Sequence, residues 1–451
     1  MWRPTWLRSR RHDRKPTGFN PASLVAGSFL LMILLGAAAL QSDWATREHL
    51  SWHQALFTAT SAVTVTGLSV IDVQQSLTLP GQLVLLLLIQ LGGIGIMTFA
   101  ALMMLLLGHQ LGIGEQRVVR EAMNHTRVMD LGWLVKRIFL LVLTIELFGV
   151  FLLMNIMVPV DGWIQGVYQS IFYSVSAFNN AGFALTSEGM VGQAGHWPLA
   201  LVLGSLSIVG GLGFTVLSEI RLSASWKTLS LHSRLMLSGT ATLLLLGFLV
   251  FALCEWNNPD TLAPYSADEK LAISFFHSVV PRSSGFNMID VGGMTMAATM
   301  FCIILMFIGA GTNSTGGGIK VTTFMTLVLA TRAFLRGRSE PVVFGRTIGQ
   351  ELVLKALAMV FIAMMIVMLS LFALTITDPE QEFLDLFFET VSACATVGLS
   401  RGITSDLSDA GQQVLMVAMF IGRIGPLTLV FLLARPQLQR IRYASGDVHI
   451  G

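Results

Sequence analysis

The chain has 451 residues, 53% of them hydrophobic and only 12% charged, with a mean hydropathy of +0.70. Those values exclude an ordinary soluble domain and mark an integral membrane protein. The formal charge of +2 matters less than where the charges sit, and Cys254, Cys302 and Cys394 lie at spacings that fit neither a zinc site nor a disulfide framework.

A basic stretch with Arg3, Arg8, Arg10, Arg11, Arg14 and Lys15 fills residues 1–20 and leads straight into an apolar segment, so no cleaved signal peptide is expected. A spanning helix needs about 20 mostly apolar residues. Eight segments qualify: 21–41, 80–108, 133–158, 197–221, 233–255, 292–335 with an interruption, 350–377 and 410–435. Between the members of each pair lies a shorter half-apolar segment, 53–62, 166–177, 268–279 and 381–394. At about 1.5 Å per residue such a helix reaches only halfway through the hydrocarbon core, as a re-entrant segment does.

Each short segment runs into a loop that ends on glycine, at Gly67, Gly182, Gly285 and Gly398, spaced by 115, 103 and 113 residues. Three of the segments close on Ser-Ala, at Ser61-Ala62, Ser176-Ala177 and Ser392-Ala393, and the third carries Ser278. The following helices echo one another at Gly92-Gly93-Ile94-Gly95, Gly210-Gly211-Leu212-Gly213, Gly316-Gly317-Gly318-Ile319 and Gly422-Arg423-Ile424-Gly425. The pattern predicts an all-α polytopic membrane protein of eight spanning helices. Four pseudo-repeats of outer helix, re-entrant pore helix with filter loop, and inner helix surround one pore. The repeats occupy 21–108, 133–222, 233–336 and 350–435, joined by a linker at 109–132 and ending in a tail at 436–451.

Basic residues set the orientation. Arg117, Arg120, Arg127, Lys136 and Arg137, then Arg221, Lys227 and Arg234, then Arg332, Arg336, Arg338 and Arg346 separate successive repeats, and Arg435, Arg440 and Arg442 follow the last. The opposite loops hold mainly Arg47, Lys270 and Arg401. Both termini are therefore expected in the cytoplasm, with the glycine loops entering from outside.

Non-helical backbone at membrane depth is tolerated only where it is buried in protein or lines a wet cavity. Val65, Thr66, Gly67, Asn180, Ala181, Gly182, Ser283, Ser284, Gly285, Thr396, Val397 and Gly398 are expected to supply stacked carbonyl layers. A ring of carbonyls replaces the hydration shell of potassium. The four helix C-termini, each carrying about half a negative charge, favour a cation on the same axis. The plainer alternative is that these glycines are close-packing points between helices.

These four glycine-loop units resemble the KtrB/TrkH/HKT superfamily of potassium transporters over nearly the whole chain, and the KtrB branch more than TrkH, because the first apolar helix already belongs to the first repeat. The resemblance implies a simplified potassium-channel filter, and glycine in all four loops accompanies potassium preference. It further implies a homodimer in a bacterial inner membrane, a cytoplasmic KtrA-type ring that binds ATP or ADP, and sodium as an activator. No covalent cofactor, no nucleotide site on this chain and no nucleic-acid partner are expected. The third loop departs from the pattern, with Pro281-Arg282 inserted. Arg282 beside a cation path is expected to turn away from the axis, toward a carboxylate such as Asp290.

Residues Gly309-Ala310-Gly311-Thr312-Asn313-Ser314-Thr315-Gly316-Gly317-Gly318 interrupt the sixth apolar segment, and so many glycines hold a helix poorly. The alternatives are a helix kink, or a mobile loop beneath the filter that blocks the path; the resemblance implies such an intramembrane gate. The other inner helices carry no equivalent insertion. Arg423 lies mid-helix, at a cost of about 2.5–3.5 kcal/mol on insertion scales. It pairs either with gate-loop oxygens or, structurally, with a group such as Glu219. The basic linkers 108–132 and 332–349 serve as topology signals or, by the resemblance, as docking sites for the KtrA-type ring. No Ser/His/Asp set, HExxH motif or paired intramembrane carboxylates appear, so an enzyme is not expected. The expected function is potassium uptake; the alternatives are a sodium-permeable uniporter and, more remotely, a non-conducting scaffold.

Overall fold

The computed structural model describes residues 21–94, 131–186, 189–222 and 225–425, and in them the chain is mainly helical. In chain order the α-helices are α1 (Pro21–Leu40), α2 (Trp52–Thr64), α3 (Val73–Ser76), α4 (Leu79–Gly93), α5 (Leu131–Asp161), α6 (Trp163–Asn179), α7 (Trp197–Leu212), α8 (Phe214–Leu222), α9 (Leu231–Glu255), α10 (Ala267–Val279), α11 (Met296–Phe307), α12 (Val321–Leu335), α13 (Gln350–Thr377), α14 (Phe383–Cys394) and α15 (Asp409–Ile424). A two-stranded hairpin, β1 (Val342–Val343) and β2 (Arg346–Thr347), lies between α12 and α13.

The short helices start where the sequence caps them. Ser51 with Gln54 opens α2 and Ser266 with Glu269 opens α10, each as a reciprocal capping box that satisfies backbone donors at the helix start. The backbone N–H and then the hydroxyl of Ser266, both donating to it, hold the Glu269 carboxyl below its ordinary range. Pro80 and Pro198 stand in the first turns of α4 and α7, where a missing N–H costs nothing.

Among the described residues three helices, Lys136–Asp161 within α5, Leu231–Glu255 and Gln350–Thr377, are long and apolar enough to cross a membrane alone. Leu147, Phe148, Phe151, Leu253 and Phe372 on them are largely exposed. An outward apolar face of that extent needs lipid to cover it, so the chain is a membrane protein. The expected span at 197–221 is two helices, α7 and α8, bent by 96°. Gly213 makes the break, with φ +90° where a side chain would be strained. The 292–335 segment is likewise α11 and α12 with residues 308–320 between them. Residues 1–20, the 95–108 end of the second span, the linker 109–132 up to residue 130 and everything beyond 425 lie outside the described residues.

Packing runs around a closed circuit. Helix α2 packs on α1 and α4, α6 on α5 and α7, α10 on α9, and α14 on α13 and α15. The helix after each short helix also meets the next short one: α4 meets α6, α7 meets α10, α11 meets α14, and α15 returns to α2. This cyclic order brings the four glycine loops to one place.

A polar knot ties part of the circuit. Glu146 on α5 is buried, accepts from Gln90 Nε2 at 3.0 Å and from Asn179 Nδ2 at 3.0 Å, and so links α5, α4 and α6. The Asn179 amide also donates to Gln90 Oε1 at 2.7 Å. Glu146→Ala would leave the half-buried Gln90 Nε2 without this acceptor, at a cost of about 1–3 kcal/mol, and would remove one of the bonds of Asn179 Nδ2, which keeps Gln90 Oε1 and Val175 O. A lowered unfolding temperature of the purified protein is the expected result, measured by thermal scanning in detergent.

Candidate functional site

Three of the four loops are built alike from the helix end. Thr66 N–H donates to Ser61 O at 2.8 Å, Ala181 N–H to Ser176 O at 2.8 Å and Val397 N–H to Ser392 O at 2.9 Å. Val65, Asn180 and Thr396, one residue earlier, donate to Ala62, Ala177 and Ala393 at 3.1 Å. This paired closure caps a helix whose chain then turns left-handed. Val65 (φ +55°), Asn180 (φ +59°) and Thr396 (φ +49°) adopt that conformation although none is glycine, and Ser283 (φ +91°) does so in the third loop. The Ser-Ala wording thus has a use. The serine hydroxyl of Ser61 accepts from Gly67 N–H at 3.0 Å, and that of Ser392 from Gly398 N–H at 3.1 Å.

The loops meet backbone to backbone in cyclic order. A Cβ on Gly67 would collide with Ala181 O, one on Gly182 would lie 3.0 Å from Ser284 O, one on Gly285 2.7 Å from Val397 O, and one on Gly398 would collide with Thr66 O. One carbonyl from each loop, at the equivalent position, therefore sits against the preceding loop's glycine. The side chains of the loop residues are buried. Val65, Ala181 and Val397 join the main core, and Ser284 Oγ pairs with Ser207 Oγ at 2.7 Å. Ser283 Oγ donates to Thr396 O at 2.9 Å and ties the third loop to the fourth.

The 309–318 segment lies directly against these loops. Thr315 Oγ1 accepts from Asn180 Nδ2 at 2.8 Å and donates to Phe178 O at 3.1 Å, while Gly317 N–H donates to Ser283 Oγ at 3.0 Å. The segment also runs along the broken α7–α8 helix: Gly311 N–H donates to Gly211 O at 2.8 Å, and Asn313 O accepts from Phe214 N–H at 3.1 Å. Its two ends touch, Ala310 N–H reaching Gly317 O at 3.1 Å. Ser314 Oγ closes it internally on Gly311 O at 2.7 Å, Thr312 Oγ1 pairs with Thr322 Oγ1 at 3.1 Å, and Lys320 Nζ donates to Gly316 O at 2.7 Å. Buried Arg423 donates one guanidinium nitrogen to Thr315 O and another to Gly92 O.

The family model described as "TrkH: Cation transport protein" matches residues 5–441. The chain is 44% identical to the Ktr system potassium uptake protein B of Bacillus subtilis over 433 residues, covering 96% of this chain and 97% of that one. It belongs to the TrkH family of cation transport proteins. It is also 41% identical to the protein of the same name from Vibrio alginolyticus, over 97% and 96% of the two chains. The potassium/sodium uptake protein NtpJ of Enterococcus hirae is 36% identical, over 91% of this chain and 92% of the other. The fold resembles the crystal structure of the potassium transporter TrkH from Vibrio parahaemolyticus, with a TM-score of 0.72 at 20% identity over 94% of this chain and 87% of that one. As a TrkH-family member the chain is a transport protein and not an enzyme.

One expectation about an arginine partner needs correction, and of the two alternatives open to Arg423 the loop oxygen is the one it bonds. Arg282 does not reach Asp290. Its guanidinium lies 3.4 Å from Thr240 Oγ1 on α9, while Asp290 Oδ1 accepts from Gly292 N–H at 2.9 Å. The turn Val280–Arg282 aims the side chain at the outer helix, and the carboxylate is already occupied in its own loop. Glu219 is not the partner of Arg423; it is held by Ser230 and Ser233. The inner helices are also less different than their sequences imply. Gly425 ends α15 with φ +85° and ψ 149°, nearly the backbone of Gly213 at φ +90° and ψ 146°. Sequence reading passed over the Gln90–Glu146–Asn179 knot, since lone polar residues on separate helices show no spacing that pairs them.

Proposed function

We propose that this protein takes up potassium across the bacterial inner membrane, through the four-loop ring and past the 309–318 loop as gate. The observation that carries the reading is the cyclic backbone packing of Gly67, Gly182, Gly285 and Gly398, with Thr66, Ala181, Ser284 and Val397 carbonyls between them. Carbonyls held this way replace the water a potassium ion sheds. Helices α2, α6, α10 and α14 all end at the ring, and their C-terminal dipoles favour a cation there. The relatives named for potassium uptake support the same ion.

On this reading the chain is four pseudo-repeats with eight spans around one pore, both termini cytoplasmic. It works as a homodimer on a KtrA-type ring that binds ATP or ADP, with sodium as an activator; the Ktr-system names of its relatives support a multi-component assembly. Influx follows the electrochemical gradient, and the gate sets its rate.

A second reading, a weakly selective potassium and sodium pathway, is favoured by the potassium/sodium relative of Enterococcus hirae. Flux into proteoliposomes holding the purified protein tests both, with potassium, rubidium, sodium and lithium compared. Potassium and rubidium passing well ahead of sodium supports the filter; equal sodium passage supports the second reading.

Arg423 places a fixed positive charge against the gate and ties it to α4. Arg423→Gln removes both the charge and charge-assisted bonds that contribute about 1.5–3 kcal/mol each. Potassium influx is expected to rise about ten-fold, read as rubidium uptake.

A further inference from the structure

A groove of about 690 Å³ opens between α11, α12, α13 and α14. Its walls are apolar almost throughout, among them Val328 on α12, Met364 on α13 and Val391 on the short helix α14. Ile308 and Ile319, the residues that bracket the 309–318 loop, line it as well. The volume falls within the range of small-molecule sites. Its polar end is different in kind. Arg332 lines the groove at the end of α12, is exposed, and makes no ion pair among the described residues. From Arg332 to Lys355 the chain carries a net of three positive charges, with Arg336, Arg338 and Arg346 close by in sequence.

We propose that this groove is a binding site for one anionic glycerophospholipid, its acyl chain along the apolar walls and its phosphate on Arg332. The chemistry matches at both ends. A helix-lined slot in a membrane protein draws a hydrocarbon chain, each buried methylene adding to the affinity. Basic pockets between spanning helices hold anionic headgroups. A zwitterionic lipid fills the walls equally well but gains less from an unpaired guanidinium in a positive neighbourhood. Neither argument depends on which ion the protein carries; both need only the membrane. The position gives the site its interest, because the chain of a bound lipid would lie against both residues that flank the loop.

The test uses delipidated full-length protein in detergent, titrated with phosphatidylglycerol or phosphatidylcholine of matched chains, with bound lipid counted by native mass spectrometry. Wild type is expected to retain one phosphatidylglycerol per chain about five-fold more tightly than phosphatidylcholine. Arg332→Gln should remove that preference and Arg332→Lys should restore most of it, while Val328→Trp, which fills the groove, should lower retention of both lipids. Unchanged unfolding temperatures and elution volumes keep these effects local. Equal retention of the two lipids by wild type overturns the proposal. So does a Val328→Trp variant that keeps its lipid but splits an oligomer into monomers, since the groove would then be covered by a second copy of the chain.

Discussion

Gly285→Ser is expected to cut potassium influx about ten-fold or more and to bring the potassium-to-sodium ratio toward one. Gly285 has φ +74°, and a Cβ there would lie 2.7 Å from Val397 O and 2.8 Å from Gly182 Cα. Both obstacles are backbone, and neither can rotate aside as a side chain would. A non-glycine residue held left-handed costs about 1–3 kcal/mol before any collision is counted. The loop is expected to relieve this by shifting outward, which displaces the Ser284 carbonyl from its place beside Gly182. Since about 1.4 kcal/mol is a factor of ten, even a partial shift is visible in rubidium uptake and sodium competition. Gly337→Ser is the control. Gly337 is also left-handed, at φ +67°, but a Cβ there meets nothing within 4 Å, and it lies in the exposed turn after α12. That variant should transport normally. A folded Gly285→Ser protein with wild-type selectivity would count decisively against the ring as the ion filter.

The positions of the loops were legible because chemistry repeats there with a long period. Four short half-apolar segments, each ending in a glycine turn, can be counted along the chain with no knowledge of contacts. Their cyclic order follows too, since consecutive units pack side by side and the last closes on the first. What sequence could not supply were features set by tertiary contact. Val65, Asn180 and Thr396 are left-handed without being glycine, so composition gives no warning of them; the Ser-Ala helix ends impose that geometry by capping. The 96° bend at Gly213 hides inside a continuous apolar run, because Gly210, Gly211 and Gly213 read equally well as tolerated helix glycines. Arg282 misled for a related reason. Its nearest carboxylate in sequence is not its neighbour in space, and a three-residue turn decided its direction. Arg423 stood out from its cost in a membrane helix, and one of its partners, Thr315 O, is an oxygen of the 309–318 loop as expected; the other, Gly92 O, is a backbone carbonyl of a distant unit, and such a partner leaves no trace in residue identity.

Deleting residues 312–315 is expected to raise potassium influx about a hundred-fold while leaving the ion ratio unchanged. The loop is fastened on several sides. Thr315 bonds through its side chain to Asn180 and Phe178, through its N–H to Gly210 and through its carbonyl to Arg423. Gly311 and Asn313 add backbone bonds to Gly211 and Phe214. At about 0.5–1.5 kcal/mol net for each bond, the closed arrangement is favoured by several kcal/mol. A preference of about 3 kcal/mol already leaves the open form below one part in a hundred. The deletion removes most of these anchors without straining the helices, because Ala310 and Gly317 are hydrogen-bonded to each other and the cut rejoins chain ends that already lie together. Asn180 loses its partner Thr315, yet its backbone place in the ring is held by Ala177 and Ser176, which are untouched. Selectivity and rate should therefore separate: the sodium competition curve stays that of wild type while rubidium uptake climbs. Unchanged uptake by a folded deletion protein would mean that the loop does not limit passage, whereas a rise accompanied by lost selectivity would mean that the loop supports the ring rather than gating it.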